Sequence, residues 1–421
     1  MTQSLIPAWS ALLALAISIF LIVRKFPPVY ALMFGAFAGA IVAAGDITYV
    51  VGEMSAGAKD ITPAILRVLA AGVLAGTLVG TGSAEKIARS ITSVFGDKKA
   101  VYAIIFASFV LTLSGVFIDV AVLTVAPIAM AVAGKSGASR IAILIALIGG
   151  GKSGNAISPN PNTISAAANF NAPLSEVMFV NIGAAVVGII ATVAVVWFIS
   201  RRKNSESRVE SNLNSDTENL PSIWAALSGP VVAIGLLVQR PVFDINIDPI
   251  IALPAGSLVC SVVSGKIKSF FADSASGLAK MTPVAVLLLG TGCLGGIIKA
   301  STLKDAILSF IELAGVSDIF IAPVSGALMS AATASTTAGA AIASATFSEA
   351  VLATGISAVW GAAMTNAGAI VFDQMPHGSF FHVSAGSVNM TFADRLKLVP
   401  YESVIGFAIA IASMLSCVIF R

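Results

Sequence analysis

The chain consists of long apolar runs separated by short polar segments. A helix needs about 20 apolar residues to cross the hydrocarbon core of a bilayer, and fewer when it is broken. By this criterion, spans are predicted over 4–23, 28–45, 60–82, 140–170, 175–200, 222–239, 246–265, 280–301, 350–380 and 400–420. The pattern therefore predicts an all-α polytopic membrane protein with about ten transmembrane spans.

Two further apolar stretches, 101–134 and 317–347, are interrupted midway by small and polar residues. We interpret each as a re-entrant hairpin, which enters the membrane and returns on the same side. With this interpretation the main basic clusters, from Arg24–Lys25 to Arg395 and Lys397, fall on the cytoplasmic side, in line with the positive-inside tendency. The two hairpins then have opposite orientations, and both termini are predicted outside.

The hydrophilic stretch 201–220 divides the chain into two halves that resemble each other. Leu74–Leu78 matches Leu294–Ile298 at an offset of 220, and the predicted spans repeat at close to that offset. Each half has an odd number of spans and one hairpin, so the second copy is expected upside down. The predicted domains are a first inverted repeat over 1–205 with hairpin 101–134 and broken helix 140–170, a disordered cytoplasmic linker over 206–221, and a second inverted repeat over 222–421 with hairpin 317–347 and broken helix 350–380.

Composition agrees with a membrane location. Hydrophobic residues make up 57% of the chain and charged residues only 11%, whereas a soluble domain carries roughly 25% charged residues. The net charge of +3 is scattered, so a lipid bilayer is predicted as a partner and nucleic acid is not. The cysteines lie in apolar runs and are expected to be buried hydrophobic residues. No metal-ligand spacing occurs, and neither a metal nor a cofactor is predicted.

The segment 149–163, read as GGGKSGNAISPNPNT, is a polar break inside an apolar run. Its backbone cannot satisfy itself in lipid, so it is predicted to line a protein-walled cavity, as broken helices do in secondary transporters. Pro159 and Pro161 remove backbone donors and keep the chain unwound. Amide and hydroxyl side chains both donate and accept hydrogen bonds, which suits a hydroxylated carboxylate. The predicted solute contacts are Lys152, Ser153, Asn155, Ser158, Asn160, Asn162 and Thr163.

The second half offers a matching set of polar residues. Thr333–Thr337 is the expected tip of the second hairpin, and the segments 365–368 and 373–378 mirror the first polar break. Close packing of small residues is an alternative explanation of the hairpin tip. The predicted solute contacts are Ser335, Thr336, Thr337 and Asn366.

Three ionisable residues are candidates for proton coupling. Ionisable groups inside a membrane are costly and are therefore functional candidates. Asp119 lies at the turn of the first hairpin, and Asp373 and His377 lie in the second polar break. Asp119 can alternatively cap a helix, and His377 can make a static polar contact. Lys152 is expected to pair with the substrate anion, or else to snorkel toward the membrane surface or pair with an acidic side chain.

The run GGGKSGNAISPNPNTI, together with Ala126–Ala129 before it, resembles the gluconate permease family of the ion transporter superfamily. The resemblance implies a homodimer with a static scaffold, a transport domain that moves like an elevator, and a bacterial inner (plasma) membrane. It also implies proton-coupled uptake of sugar acids or short hydroxy acids, and adds Ser114 and Gly115 to the solute contacts. The segment FDQMPHGSFFH is similar to that of members linked to hydroxybutyrate-like acids rather than gluconate.

The leading hypothesis is a proton-coupled symporter for a small hydroxylated monocarboxylate such as a gluconate-like acid or 3-hydroxybutyrate. Sodium coupling is the alternative within transport, because hairpin tips and unwound carbonyls also bind cations. An intramembrane enzyme is disfavoured because no Ser/His or paired-Asp arrangement is evident. A channel is disfavoured because two opposed hairpins imply alternating access.

Overall fold

The computed structural model describes residues 6–95, 99–136, 138–201, 220–239, 247–314 and 317–420. Regular secondary structure in these ranges is helical, apart from an isolated bridge between Ile6 and Ser301. Residues 206–219 of the predicted linker lie outside the described residues.

The first half folds into eleven helices within its described ranges. They are α1 (Ala8–Val23), α2 (Pro28–Ala44), α3 (Ile47–Asp60), α4 (Thr62–Gly80), α5 (Ser83–Phe95), α6 (Ala100–Leu113), α7 (Ile118–Ser136), α8 (Arg140–Asn155), α9 (Pro161–Asn169), α10 (Leu174–Val180) and α11 (Ile182–Arg201).

The described part of the second half is also helical. Its α-helices are α12 (Ile223–Leu237), α13 (Pro249–Val263), α14 (Phe270–Lys299), α15 (Leu303–Ala314), α16 (Ile321–Thr333), α17 (Thr336–Ala353), α18 (Ala358–Ala369), α19 (Ser379–Ser387), α20 (Phe392–Leu396) and α21 (Val399–Phe420).

Helices α3, α5, α15 and α20 lie outside the predicted spans, and α14 begins earlier than its predicted span. Helix α3 was not predicted, because its sequence includes charged residues that weaken the apolar signal. It begins where the Asp46 side chain accepts hydrogen bonds from the N–H groups of Thr48 and Tyr49, at 2.8 and 3.3 Å, which is a favourable N-cap. Helix α14 begins ten residues earlier than the predicted span 280–301, at Phe270.

Both polar segments interrupt helices. Helix α8 ends at Asn155 and α9 begins at Pro161, so the serine–proline–asparagine run is unwound. In the second half, α18 ends at Ala369 and α19 begins at Ser379. Proline at the first position of α9 lacks only an N–H that would have no helical partner there, which fixes the restart of the helix.

Two helix pairs meet at tight tips. Helices α6 and α7 are joined by residues 114–117, in which Gly115 has a φ of 93°. Helices α16 and α17 are joined at Ala334, whose φ is 47°, and at Ser335, whose hydroxyl accepts a bond from the N–H of Ala338 at 3.3 Å. The left-handed conformation costs a non-glycine residue about 1–2 kcal/mol, so surrounding contacts must hold the second tip.

Helix α14 crosses α3 and α4 through glycines. A Cβ atom on Gly57 would lie 2.1 Å from the carbonyl oxygen of Gly292 and 2.6 Å from the N atom of Gly296. At the other end of α14, a Cβ atom on Gly277 would lie 2.0 Å from the carbonyl oxygen of Gly72 and 2.9 Å from the Cα atom of Gly76. These backbones touch because small residues allow close helix approach.

The replacement Gly57→Ala is expected to destabilise the protein by about 1–3 kcal/mol, the usual range for overpacking. The added methyl group meets backbone atoms of α14, which cannot rotate away. Gly52 on the same helix has open space around it, so Gly52→Ala should leave the melting temperature of the purified protein unchanged or raise it. Equal melting temperatures for the two variants would contradict the close crossing.

The outer surface of the described helices is apolar. Large side chains such as Trp224, Phe271 and Leu313 are more than 80% exposed. By length and composition, four described helical segments can cross a bilayer: α4, α11, 267–299 and 392–420. Lys152, Gln374 and several asparagines are buried instead, which is the polarity expected of a protein in lipid.

Candidate solute-binding site

A cavity of about 1430 Å³ connects the two hairpin tips with the two helix breaks. One wall comes from the end of α1, the start of α2 and the middle of α14. The opposite wall consists of residues 117–120, Asn155, 161–162, 333–338, Asp373, 377–380 and His382. The cavity is thus bounded by the four irregular segments of the fold.

The structure divides the predicted site residues into two groups. The cavity wall contains Asp119, Asn155, Asn162, Ser335, Thr336, Thr337, Asp373 and His377. The remaining predicted residues are not part of that wall; they are Ser114, Gly115, Lys152, Ser153, Ser158, Asn160, Thr163 and Asn366.

Side-chain amides join the first helix break to the second half. The Asn162 amide donates to Asn366 Oδ1 at 2.7 Å, and the Asn366 amide donates to Thr163 Oγ1 at 3.2 Å. Within the first break, the Asn160 amide donates to Asn155 Oδ1 at 2.5 Å. This network holds the cavity-lining amides of Asn155 and Asn162 in position.

The hydrogen-bond donors of the Lys152 ammonium group are all directed at residues of the second helix break. Its Nζ donates to Asp373 Oδ1 at 2.6 Å, to Gln374 Oε1 at 2.6 Å and to the Ile370 carbonyl at 2.7 Å. The Lys152 side chain is 0% exposed. Thr336 Oγ1 donates to the other carboxylate oxygen of Asp373 at 2.5 Å. Of the two partners expected from the sequence, the structure shows the acidic side chain.

The hydroxyls of Ser153 and Ser114 are engaged within their own helices. Ser153 Oγ donates to the Gly149 carbonyl at 2.8 Å and faces Gly188 of α11. Ser114 Oγ donates to the Val110 carbonyl at 2.6 Å. Both contacts are typical of small polar residues that pack in helical bundles.

Three buried polar atoms beside the breaks have no hydrogen-bond partner among the described residues: Ser158 Oγ, Asn160 Oδ1 and Thr365 Oγ1. Most buried polar atoms in proteins are bonded, and each exception calls for an explanation. Ser158 and Asn160 belong to the first unwound segment, and Thr365 lies in the last turn and a half of α18 before the second. Each atom can accept or form a further hydrogen bond.

Asp119 occupies the first turn of α7 and is half-buried in the cavity wall. It makes no ion pair with a described basic residue. Asp119 therefore differs from Asp373, which is neutralised by Lys152.

Basic residues contribute to the lining of the cavity. Lys25, Lys280, His377 and His382 all line it and are exposed. The Nε2 atom of His377 lies 3.2 Å from the Ala332 carbonyl, which connects the second break to the second hairpin. The positive charges of Lys25 and Lys280 favour anions near the cavity.

Sequence reasoning missed Asn181, which lies between α10 and α11. Its amide donates to the Ala363 carbonyl at 3.1 Å, and its Oδ1 accepts a bond from Ser413 Oγ at 2.7 Å. Asn181 thereby connects α11 to α18 and α21. A single asparagine flanked on both sides by apolar residues was the available signal.

A second buried ion pair was also missed. Arg395 and Glu402 are both fully buried and bonded to each other, with Arg395 Nη2 and Glu402 Oε2 3.1 Å apart. Arg395 Nε donates to Ser384 Oγ at 3.0 Å, and the guanidinium lies 4.8 Å from the centre of the Phe381 ring. The pair fixes α20 against the start of α21. In sequence these residues resembled an ordinary charged membrane boundary.

A family model described as GntP family permease matches residues 6–420. The chain belongs to the GntP permease family. It is therefore a transporter and an integral membrane protein. Across the described residues, no group of three or more histidine, cysteine or acidic residues is arranged to hold a metal.

Individual relatives agree with this membership. An uncharacterized transporter of Haemophilus influenzae is 48% identical over 419 residues, which cover 99% of each chain. A gluconate permease of Pseudomonas aeruginosa is 23% identical and covers 80% of this chain and 82% of its own. The crystal structure of the YdaH transporter of Alcanivorax borkumensis has a TM-score of 0.62 at 15% identity, covering 97% and 98% of the two chains. The last match demonstrates a shared fold.

Proposed function

We propose that this GntP family member is a secondary active symporter that takes up a small hydroxylated monocarboxylate together with protons. The observation that carries the proposal is the single cavity bounded by both hairpin tips and both helix breaks. Discontinuous helices of this kind form solute sites in secondary transporters.

The chemistry of the wall supports a hydroxy acid as the substrate. The hydroxyls of Ser335, Thr336 and Thr337 and the amides of Asn155 and Asn162 offer both donors and acceptors. The N-terminus of α17 begins at Thr336 in this wall, and a helix N-terminus favours a carboxylate. The relative named gluconate permease is compatible with a sugar acid, and the FDQMPH segment favours a shorter acid such as 3-hydroxybutyrate.

Inverted repeats are part of the proposal. Adding 220 to Gly57 gives Gly277, and adding 220 to Gly72 and Gly76 gives Gly292 and Gly296, so the two glycine contacts exchange under the repeat. Asn171 and Asn389 follow α9 and α19 respectively, and both have a φ of 52°. Such matched features support the division into 1–205 and 222–421.

An elevator mechanism follows from this division. We assign α1–α4 and α12–α14 to a scaffold, which a homodimer would hold in the membrane. The hairpins, the broken helices, α11 and α21 form the transport domain. The cavity lies between the two groups, where a rigid-body movement would alternately expose it. Its lysine-rich mouth faces the predicted cytoplasmic side.

Proton coupling is assigned to Asp119, with His377 at the mouth and Asp373 behind the hairpin tip. Asp119 has the features of a proton carrier, since it is half-buried, lines the cavity and has no basic partner among the described residues. Sodium coupling is the second candidate, because hairpin tips and unwound backbone carbonyls also bind cations in transporters.

The direct test has two stages. A thermal-shift screen of the purified protein against gluconate, 3-hydroxybutyrate, glycerate, lactate and citrate identifies the ligand, because a ligand that binds the folded state raises the melting temperature. Uptake of that ligand into proteoliposomes is then driven by a pH gradient without sodium. No uptake under these conditions, but uptake with a sodium gradient, would refute proton coupling.

Asn162→Ala is expected to weaken binding of that ligand about tenfold, since one hydrogen bond contributes about 1 kcal/mol or somewhat more. It removes a wall amide that also bonds to Asn366. Asn169→Ala is a matched control, because Asn169 also connects the halves, through Ser344 at 2.9 Å, but does not line the cavity. Ligand affinity measured by calorimetry should fall only in the first variant; equal affinities would argue against this site.

A further inference from the structure

Three oxygen atoms of different chemistry surround the buried Nζ of Lys152. They are a backbone carbonyl from Ile370, a carboxylate oxygen from Asp373 and an amide oxygen from Gln374, all within 2.6–2.7 Å. All three residues belong to the unwound segment that follows α18. Unwound carbonyls and adjacent side-chain oxygens are the groups with which transporters coordinate sodium.

The geometry of these oxygens is fixed from outside. Gln374 Nε2 donates to Ser403 Oγ at 2.8 Å and to the Val371 carbonyl at 3.0 Å, so its oxygen points toward Lys152. Thr336 Oγ1 holds the second oxygen of Asp373 at 2.5 Å. Such outside support is what keeps ligand oxygens of a cation site in place.

The ammonium group has no capacity left for a substrate. A lysine has three N–H donors and no acceptor, and all three donors are directed at protein oxygens. A fully protonated amine is required to donate to all three. Lys152 therefore acts on the second half of the protein rather than on the solute.

We propose that the ammonium of Lys152 is a built-in monovalent cation that occupies a sodium-type site made of Ile370 O, Asp373 Oδ1 and Gln374 Oε1. The cation holds the second break in the form that bonds the hairpin tip through Thr336. Bound sodium is then unnecessary at this position. The inference rests on the proposed transport function and explains why protons, rather than sodium, would drive it.

An ordinary buried ion pair makes a different prediction from a cation site. An ion pair requires only that the charge of Asp373 be neutralised by its partner. A cation site, by contrast, should accept a free cation when the side chain of Lys152 is removed and its space is left open. The size of the replacement residue therefore separates the two explanations.

The experiment compares melting temperatures of the purified full-length protein in sodium chloride and in choline chloride at equal ionic strength. Lys152→Ala vacates the site, whereas Lys152→Met fills the same space with an apolar chain. We expect wild type to melt equally in both salts. Both variants should melt lower than wild type in choline, and sodium should raise the melting temperature of Lys152→Ala alone, in a concentration-dependent manner.

Two further variants serve as controls. Lys152→Ala combined with Asp373→Asn removes the charged ligand and should abolish the sodium response. Arg395→Leu breaks the other buried pair, which is a planar bidentate contact without the backbone carbonyl, and should not respond to sodium.

The proposal is overturned if Lys152→Ala is folded but indifferent to sodium, or if sodium stabilises wild type more than choline does. It is also overturned if Lys152→Ala is recovered folded in neither salt, since a sodium-filled site should hold the fold. None of these readings requires transport. If Lys152→Ala responds to sodium but the wild-type protein takes up none of the screened acids, the proposed cation site stands and the proposed function is refuted.

Discussion

Replacing Asp119 with asparagine is expected to abolish concentrative, proton-driven uptake. Asparagine has nearly the same shape as aspartate but cannot gain or lose a proton in the physiological range. Asp119 lines the cavity and has no basic partner among the described residues, so its removal leaves no opposite charge behind. We expect the inside-to-outside substrate ratio that proteoliposomes reach under a pH gradient to fall at least about tenfold, which corresponds to a loss of about 1.4 kcal/mol or more of driving free energy.

Exchange of labelled for unlabelled substrate across the same membrane should persist in this variant. Exchange requires no net proton movement, and asparagine resembles the protonated carboxyl. Glu349→Gln, an equal charge change at an exposed position of α17, serves as the control and should behave like wild type. Undiminished proton-driven uptake by Asp119→Asn would move the proton carrier elsewhere, and His377→Ala would then be the variant expected to fail.

Replacing Arg395 with leucine is expected to cost about 3–5 kcal/mol of stability, because it leaves the charge of Glu402 buried without a partner. Both side chains of this pair are 0% exposed. The melting temperature of the purified protein measures the loss. The double variant Arg395→Leu with Glu402→Leu should recover most of it, since no unpaired charge remains.

An exposed ion pair provides the comparison. Arg89 and Glu85 lie one helical turn apart on α5, with side chains 27% and 37% exposed. Arg89→Leu should cost less than about 1 kcal/mol, as surface pairs do. If the two arginine replacements lowered the melting temperature equally, burial would not explain the contribution of Arg395 to stability.

The sequence was informative where several consecutive polar residues interrupted an apolar run. Backbone in lipid must bond within its own helix, so the prolines and asparagines between Asn155 and Pro161 marked an unwound segment. The same reasoning located Asp373 and His377, which the structure brings to one cavity with Asp119. It was therefore possible to anticipate from the sequence that these polar residues would line a cavity.

Partners between distant segments were beyond sequence reasoning. Lys152 had two equally reasonable partners until the fold brought Asp373, 221 positions away, to its ammonium group. The search for apolar runs also missed α3, because its charged residues weaken the apolar signal and its packing depends on glycine contacts. Side-chain direction within a break is likewise set by tertiary contacts, as Ser153 and Asn162 illustrate by facing different neighbours.

The glycine crossings of α14 bear on how the molecule can change shape. Helices that pack through side chains can slide past each other when those side chains change rotamer. Backbones in direct contact have no side chains that could adjust in this way. Helices α3, α4 and α14 are therefore expected to behave as one rigid body throughout the transport cycle. Opening and closing of the cavity is then expected to involve movement of its other wall. Probes attached to opposite ends of the α3–α4–α14 unit should keep a constant separation throughout the cycle.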